Sequence, residues 1–218
     1  MEETLLELRD LEVRFGARPV LEGLSLRVGR GEKVTLTGPS GSGKSTILRC
    51  LLGFVVPAAG EVRIEGRRLD GTSVWELRGR LAWVGQEPEL GEGRVQEVLE
   101  RPFHYRRNAG QAANLARTTE LCERFGLAAG LLQAEMGDLS GGEKQRVAIV
   151  SAILLERPIM LLDEASSALD RVSRAAVAEW FRSRRELTVL SVAHDPDRFD
   201  LGGRVLEPDG LAIAAERT

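Results

Sequence analysis

Alternation of apolar and polar positions dominates the start of the chain. Leu24-Ser25-Leu26-Arg27-Val28 alternates strictly, Gly29-Arg30-Gly31-Glu32 reads as a turn, and Val34-Thr35-Leu36-Thr37 alternates again. Residues 4–37 are therefore expected to be β-structure. Residues 46–54 are mostly apolar and predict a buried helix, and Pro57-Ala58-Ala59-Gly60 breaks the chain. Glu61-Val62-Arg63-Ile64-Glu65 alternates like a strand, and Leu81-Ala82-Trp83-Val84 is a short apolar run expected as a buried strand. From about 95 to 133 the β-signal disappears. Residues 111–125 predict a helix stopped at Gly126, and a second helix is expected from Gly141 to about Leu155, ended by Pro158. Ile159-Met160-Leu161-Leu162 and Leu187-Thr188-Val189-Leu190-Ser191-Val192 read as buried strands on either side of a helix at 172–184. Pro208-Asp209-Gly210 predicts a hairpin turn in the tail.

Between the third strand and the first helix lies Gly38-Pro39-Ser40-Gly41-Ser42-Gly43-Lys44-Ser45-Thr46. It fits G-x-x-x-x-G-K-[ST] without mismatch, in the strand–loop–helix context the motif requires. Glycines let backbone N–H groups turn toward phosphates without Cβ clashes, and the helix N-terminus adds a partial positive charge. Residues 38–46 are therefore expected to cradle the phosphates of a nucleoside triphosphate. Lys44 would reach the β- and γ-phosphates and the Ser45 hydroxyl would hold Mg²⁺. The bland alternative is a glycine-rich turn before a buried helix. Only three of the thirty basic residues are lysines, at 33, 44 and 144, so a chain poor in Lys still places one at the phosphate position.

Two hundred and eighteen residues, 43% of them hydrophobic, suit one domain with an ordinary core. The fold class expected is α/β: a phosphate-loop NTPase core with an N-terminal antiparallel β region and an inserted helical subdomain. Residues 1–86 and 155–218 form the core on this reading, and 87–154 the helical part. A net charge of −3 with both signs spread along the chain gives no electrostatic case for a nucleic-acid partner. No apolar run approaches the ~20 residues that span a bilayer; the longest, 47–56 and 147–155, are interrupted by Arg49, Cys50 and Ser151. The start, Met-Glu-Glu, carries no signal-peptide pattern. Cys50 and Cys122 stand apart without metal spacing and are expected as reduced, structural thiols. A soluble, cytoplasmic protein is expected, with any membrane role supplied by a partner.

The strand 159–162 runs into Asp163 and Glu164. In a parallel α/β sheet, ligands gather at the carboxyl ends of strands. Asp163 would then hold Mg²⁺, and Glu164 would position and deprotonate an attacking water; a favourable acidic helix start is the alternative. His194 follows the last buried strand and offers an imidazole to the γ-phosphate or the water, unless it is a surface loop histidine. Gln86 ends the 81–84 strand and would sense Mg²⁺ or water through its amide, or else face solvent. Asp170 reads equally as an N-cap for the following helix. His104 lies far from any motif and reads as structural or surface.

With 38–46, Gln86, Leu139-Ser140-Gly141-Gly142-Glu143, 159–164 and His194 in this order, the chain resembles the nucleotide-binding subunit of ATP-binding cassette (ABC) transporters over its whole length. Leu-Ser-Gly-Gly-Glu is that family's signature. The resemblance implies a head-to-tail dimer in which each ATP lies between the phosphate loop of one chain and the signature of the other. Ser140, Gly141 and Gly142 precede a helix, so their N–H groups and the Ser140 hydroxyl would form a second anion site. The resemblance also implies that Asp170 communicates across the dimer and that an aromatic residue stacks on adenine. Phe15 holds that place, where Tyr is commoner; stacking survives loss of the hydroxyl. A core aromatic is the alternative for Phe15.

The family implies a multi-span membrane permease as partner, a second cassette (identical on the simplest reading), and a place at the inner face of the cell membrane. Relatives carry an aromatic residue after Gln86 that receives the permease. Here Pro88-Glu89-Leu90-Gly91-Glu92-Gly93 puts glycine there, and docking is expected around 87–104 through residues such as Leu90 and Phe103. Glu123-Arg124-Phe125-Gly126-Leu127 and Arg101-Pro102-Phe103 carry a narrower likeness to small cassettes of iron- or other metal-exporting systems. A soluble cassette ATPase, as in iron–sulfur cluster assembly, would share every motif. DNA-repair and chromosome-organising relatives interrupt the cassette with coiled coils or zinc modules, and this chain has no heptad run and no Cys cluster.

Overall fold

The computed structural model describes residues 3–195 and 199–207. Two sheets form. Strands β1 (Thr4–Phe15), β2 (Arg18–Gly29), β4 (Ala59–Ile64) and β5 (Arg67–Arg68) make an antiparallel sheet in the order β2-β1-β4-β5. Strands β3 (Lys33–Leu36), β6 (Leu81–Val84), β7 (Ile159–Asp163), β8 (Thr188–Val192) and β9 (Arg204–Leu206) make a parallel sheet in the order β6-β7-β8-β3-β9.

Every residue of β3, β7 and β8 is buried. Central parallel strands covered on both faces read as apolar runs, as β7 and most of β8 do; β3 alternates in sequence, yet its Lys33 and Thr35 are buried too. Alternate β7 residues serve opposite cores. Ile159 and Leu161 pack with α1 (Lys44–Leu51) and the antiparallel sheet, while Met160 and Leu162 pack with α3 (Val95–Glu100), α4 (Thr118–Arg124), α5 (Gly141–Leu154) and α6 (Arg171–Ser183). A five-residue helix, α2 (Val74–Arg78), precedes β6.

Several elements depart from the sequence expectation. The first helix begins two residues early, at Lys44, and stops at Leu51. The helix expected at 111–125 splits: residues 109–117 form 3₁₀ turns with no buried residue, and only α4 is regular. Gly126 does terminate it, at φ 70°. The expected turn at Pro208-Asp209-Gly210 lies outside the described residues; before it, β9 joins β3 in parallel. No helix among the described residues is long and apolar enough to cross a membrane.

Candidate active site

The phosphate loop leaves β3 and enters α1 with Gly38, Gly41 and Gly43 at positive φ. Gly43 cannot be replaced without strain. Its φ is 89°, and a Cβ there would stand 2.6 Å from Leu21 Cδ2 and 3.1 Å from the Val20 carbonyl. Lys44, 5% exposed, folds its ammonium into the loop and donates to the carbonyls of Gly38 (2.8 Å) and Pro39 (2.7 Å) and to Ser42 Oγ (3.3 Å). α1 itself carries no acidic residue in its first turn, and the positive end of its dipole faces the loop. Ser45 Oγ donates to Asp163 Oδ1 at 2.9 Å, which joins the first turn of α1 to the carboxyl end of β7.

Three adjacent strand ends supply the other side. Gln86 follows β6, Glu164 follows β7 and His194 follows β8. Glu164 Oε2 accepts from Gln86 Nε2 at 2.9 Å, and Glu164 Oε1 lies 2.9 Å from His194 Nε2. The Glu164 backbone is held at φ 50° by its N–H donating to the Val192 carbonyl at 3.0 Å. A non-glycine residue in this conformation is strained, and such strain gathers at functional sites. The carboxylate is thus aimed by two partners and a fixed backbone.

Together these residues line a cavity of about 450 Å³, walled by Phe15, Arg18 and Val20 on one side and by Gln86, Glu164 and His194 on the other. Phe15 is 52% exposed, which disposes of the core reading for it. Arg18 and Val20 were not anticipated. Both sit where β1 turns into β2, and their only sequence signal was proximity to Phe15.

Ser140, Gly141, Gly142 and Asp170 do not line this cavity. Ser140 caps α5 in a reciprocal box. Its Oγ accepts from Glu143 N–H (3.3 Å) and donates to Glu143 Oε2 (2.7 Å), which also accepts from the Ser140 N–H (2.9 Å). The Ser140 hydroxyl, then its N–H, lowers the Glu143 pKa below the usual carboxylate range. Gly142 packs tightly: a Cβ would lie 2.9 Å from the Ala168 carbonyl oxygen. Asp170 is an N-cap, accepting from Val172 N–H (2.9 Å) and Ser173 N–H (3.0 Å). Ser173 Oγ and Arg146 reach its other oxygen at 2.7 and 3.3 Å, and the Ser173 N–H is the main cause of its lowered pKa.

A fully buried residue missed from sequence links the two regions. Gln145, in the second turn of α5, donates from Nε2 to the Gly85 carbonyl at 3.1 Å, one residue before Gln86. It sits in the polar run Glu143-Lys144-Gln145-Arg146, so nothing in the pattern set it apart. The segment after Gln86 also corrects one expectation. Phe103 is 5% exposed and belongs to the core, so it cannot receive a partner. Leu90 does line a groove of about 470 Å³ between this loop and α5, and the aromatic in that groove is Trp83 from β6. Trp83 is 46% exposed and packs edge-on against Phe54 at 6.3 Å. His104 is exposed and outside both regions.

The sequence profile described as ABC transporter matches residues 21–167. The chain belongs to the ABC transporter family. It is 40% identical over 200 residues to the methionine import ATP-binding protein MetN of Rhizobium etli, a match that takes in 88% of this chain. It spans about half of that relative's length, 55%. It is 33% identical to the energy-coupling factor transporter ATP-binding protein EcfA1 of Bacillus subtilis, over 97% of this chain and 78% of EcfA1. Among solved structures, the ADP- and phosphate-bound dimer of the cassette MJ0796 superposes with a TM-score of 0.79 at 26% identity, covering 94% of each chain. The mixed α/β architecture described above is the fold of these cassettes.

Proposed function

We propose that the protein is the ATP-hydrolysing subunit of an ABC transporter, working as an ATP-sandwiched dimer that drives a separate multi-span permease. The observation that carries the reading is Glu164. Its carboxylate lines the cavity that holds the phosphate loop, and it is held between Gln86 and His194 at 2.9 Å each.

Loop N–H groups and Lys44 would bind the β- and γ-phosphates, and Phe15 would stack on adenine. Ser45 Oγ and Asp163 Oδ1, 2.9 Å apart, are hard oxygen donors adjacent to the phosphate cleft. Among the described residues no group of three or more His, Cys, Asp or Glu could hold a metal. The Ser45 and Asp163 oxygens fit Mg²⁺, which takes one or two protein oxygens and completes its shell with phosphate and water. When bound, Mg²⁺ neutralises charge on the β- and γ-oxygens. Glu164 accepts a proton from water as the water oxygen attacks the γ-phosphorus and the bond to the ADP oxygen breaks. Gln86 and His194 fix the carboxylate, and His194 also faces the cavity as a donor to the γ-phosphate.

The second half of each site is supplied in trans by Ser140, Gly141 and Gly142 of the other copy, with Asp170 beside them. Two features support this. The cavity of one chain lacks its own signature residues, and the related cassette MJ0796 was captured as a dimer. Residues 1–86 and 155–218 act as the core and 87–154 as a helical subdomain. The groove lined by Trp83 and Leu90 receives the permease, which holds the protein on the cytoplasmic face of the membrane; no nucleic acid is involved. Metal or iron export rests only on the narrower likeness at 101–103 and 123–127. Phe103, Phe125 and Leu127 are buried, so those residues pack the core, and cargo choice belongs to the permease.

The test is Mg²⁺-dependent phosphate release from ATP by the purified chain, together with recovery of a multi-span protein from solubilised membranes. No release at saturating ATP and Mg²⁺ contradicts the hydrolytic reading. Recovery only with soluble cluster-assembly proteins contradicts the transport reading.

A further inference from the structure

At the opposite end of the parallel sheet, where β7 and β8 begin, lies a cavity of about 520 Å³. It is ~15 Å from Asp163 and Glu164, counted along β7 at about 3.3 Å per residue. Its wall is Trp180 and its apolar surface includes Ile153, Met160 and Leu187. Five guanidiniums and two carboxylates line it. Arg117 pairs with Glu156 at 2.5 Å, and Arg30 pairs outward with Glu3 at 2.9 Å. Arg157, Arg184 and Arg185 form no ion pair among the described residues. Arg184 instead lies over the Trp180 ring, 4.9 Å from its centroid. Arg157 donates to Asn108 Oδ1; its guanidinium is held below its ordinary pKa by burial and then by Arg107 and Arg80. The surplus positive charge stands out on a chain of net charge −3.

Helix ends give part of the reason for these arginines, because cations are favoured at helix C-termini. The same dipoles would oppose an anion, yet three of the carbonyls there are already engaged. Leu154 O accepts from Asn114 Nδ2 (2.9 Å), Trp180 O from Ser183 Oγ (2.7 Å) and Arg184 O from Lys33 Nζ (2.6 Å). Five guanidiniums against two carboxylates leave the lining with an excess of cations. Helix ends also give no reason for an indole-walled cavity between them, of the size that holds small molecules.

We propose that this cavity binds a small anion with an apolar body, of the class of a medium-chain carboxylate. Its chain would lie on Trp180 and the apolar surface, and its carboxylate would meet Arg184 and Arg185 at the rim. Paired guanidinium–carboxylate contacts are strong and directional. The site is separate from the nucleotide cleft and does not depend on the function proposed above.

The chain has three tryptophans, and Trp75 and Trp83 are exposed and outside this cavity. The Trp75→Phe/Trp83→Phe protein therefore reports Trp180 alone. Octanoate is the probe, with octylamine and acetate as controls that each lack one half of the ligand. The expected result is a saturable change in Trp180 fluorescence with a dissociation constant at or below ~1 mM, retained at saturating ADP. Octylamine and acetate should bind at least about tenfold more weakly, as should octanoate after Arg184→Gln/Arg185→Gln. Both arginines are exposed, so that variant should fold, and an unchanged circular dichroism melt checks it. No saturation with octanoate, equal binding of octylamine, loss of binding with ADP, or unchanged affinity in the folded double variant would each overturn the proposal.

Discussion

Glu164→Gln isolates the proton-accepting role from everything else the residue does. The side chain is mostly buried, with 12% exposure, and its two oxygens meet Gln86 Nε2 and His194 Nε2 at 2.9 Å. Glutamine keeps the volume, one acceptor oxygen for the Gln86 amide and an NH₂ that an unprotonated His194 Nε2 can accept. Folding stability should therefore change by less than ~1 kcal/mol. Nucleotide affinity should be retained, because the phosphate contacts come from Lys44 and the loop. Hydrolysis should fall by ~10²–10⁴, a barrier increase of about 2.7–5.5 kcal/mol. With turnover blocked, the variant should accumulate as an ATP-bound dimer. The assay combines steady-state phosphate release, ATP titration and size-exclusion chromatography with ATP and Mg²⁺. A folded variant that hydrolyses ATP within about threefold of wild type, or stays monomeric at saturating ATP, would refute the assignment.

Phe15→Ala should weaken ATP binding by ~1–3 kcal/mol if the ring stacks on adenine; its half-exposed position predicts an almost unchanged melting temperature, and a folded variant with wild-type affinity counts against stacking. Gly142→Ala should cost ~1–3 kcal/mol of stability because its Cβ would meet the Ala168 carbonyl at 2.9 Å, whereas Gly141→Ala meets nothing within 4 Å; equal melting temperatures would show the contact is not tight. Burial raises both Cys50 and Cys122 to about 11, so about 0.1% of each is thiolate at pH 8 and a thiol reagent should label them only on unfolding. The same raised values bind protons in the folded state that the unfolded state has released, so this contribution to stability is full below about pH 9 and is lost as pH climbs toward 11; fast labelling of the native protein would contradict it.

What the residue pattern disclosed depended on how much each segment buries. The fully buried strands β7 and β8 announce themselves as apolar runs and β3 by its alternation, and the phosphate loop announces itself because glycine spacing and helix context coincide. Helix α2 was not anticipated: only Leu77 of its five residues is buried, so no period exists to read. The 3₁₀ turns at 109–117 bury nothing, and their loose apolar spacing reads as an ordinary helix. β9 gave no alternation, since Arg204 and Val205 are exposed and only the β3 edge orders it. Around the site, strand ends could be counted from the sequence, but the approach of Arg18 and Val20 depends on how the antiparallel sheet sits over the loop. Gln145 was invisible for the same reason, since its partner is a backbone carbonyl 60 residues away in the chain.

The central claim is that each ATP site is built from two copies of the chain, and complementation tests it directly. Lys44→Ala breaks the phosphate loop, and Ser140→Arg fills the signature's anion site; each variant alone should be inactive. In a mixed dimer the Ser140→Arg chain brings an intact phosphate loop and the Lys44→Ala chain an intact signature, which leaves one whole site and one doubly broken site. Mixing should restore ATP hydrolysis above both parents, together with nucleotide occupancy of about one site per dimer. Background hydrolysis and no bound nucleotide in a verified mixed dimer would contradict a shared site.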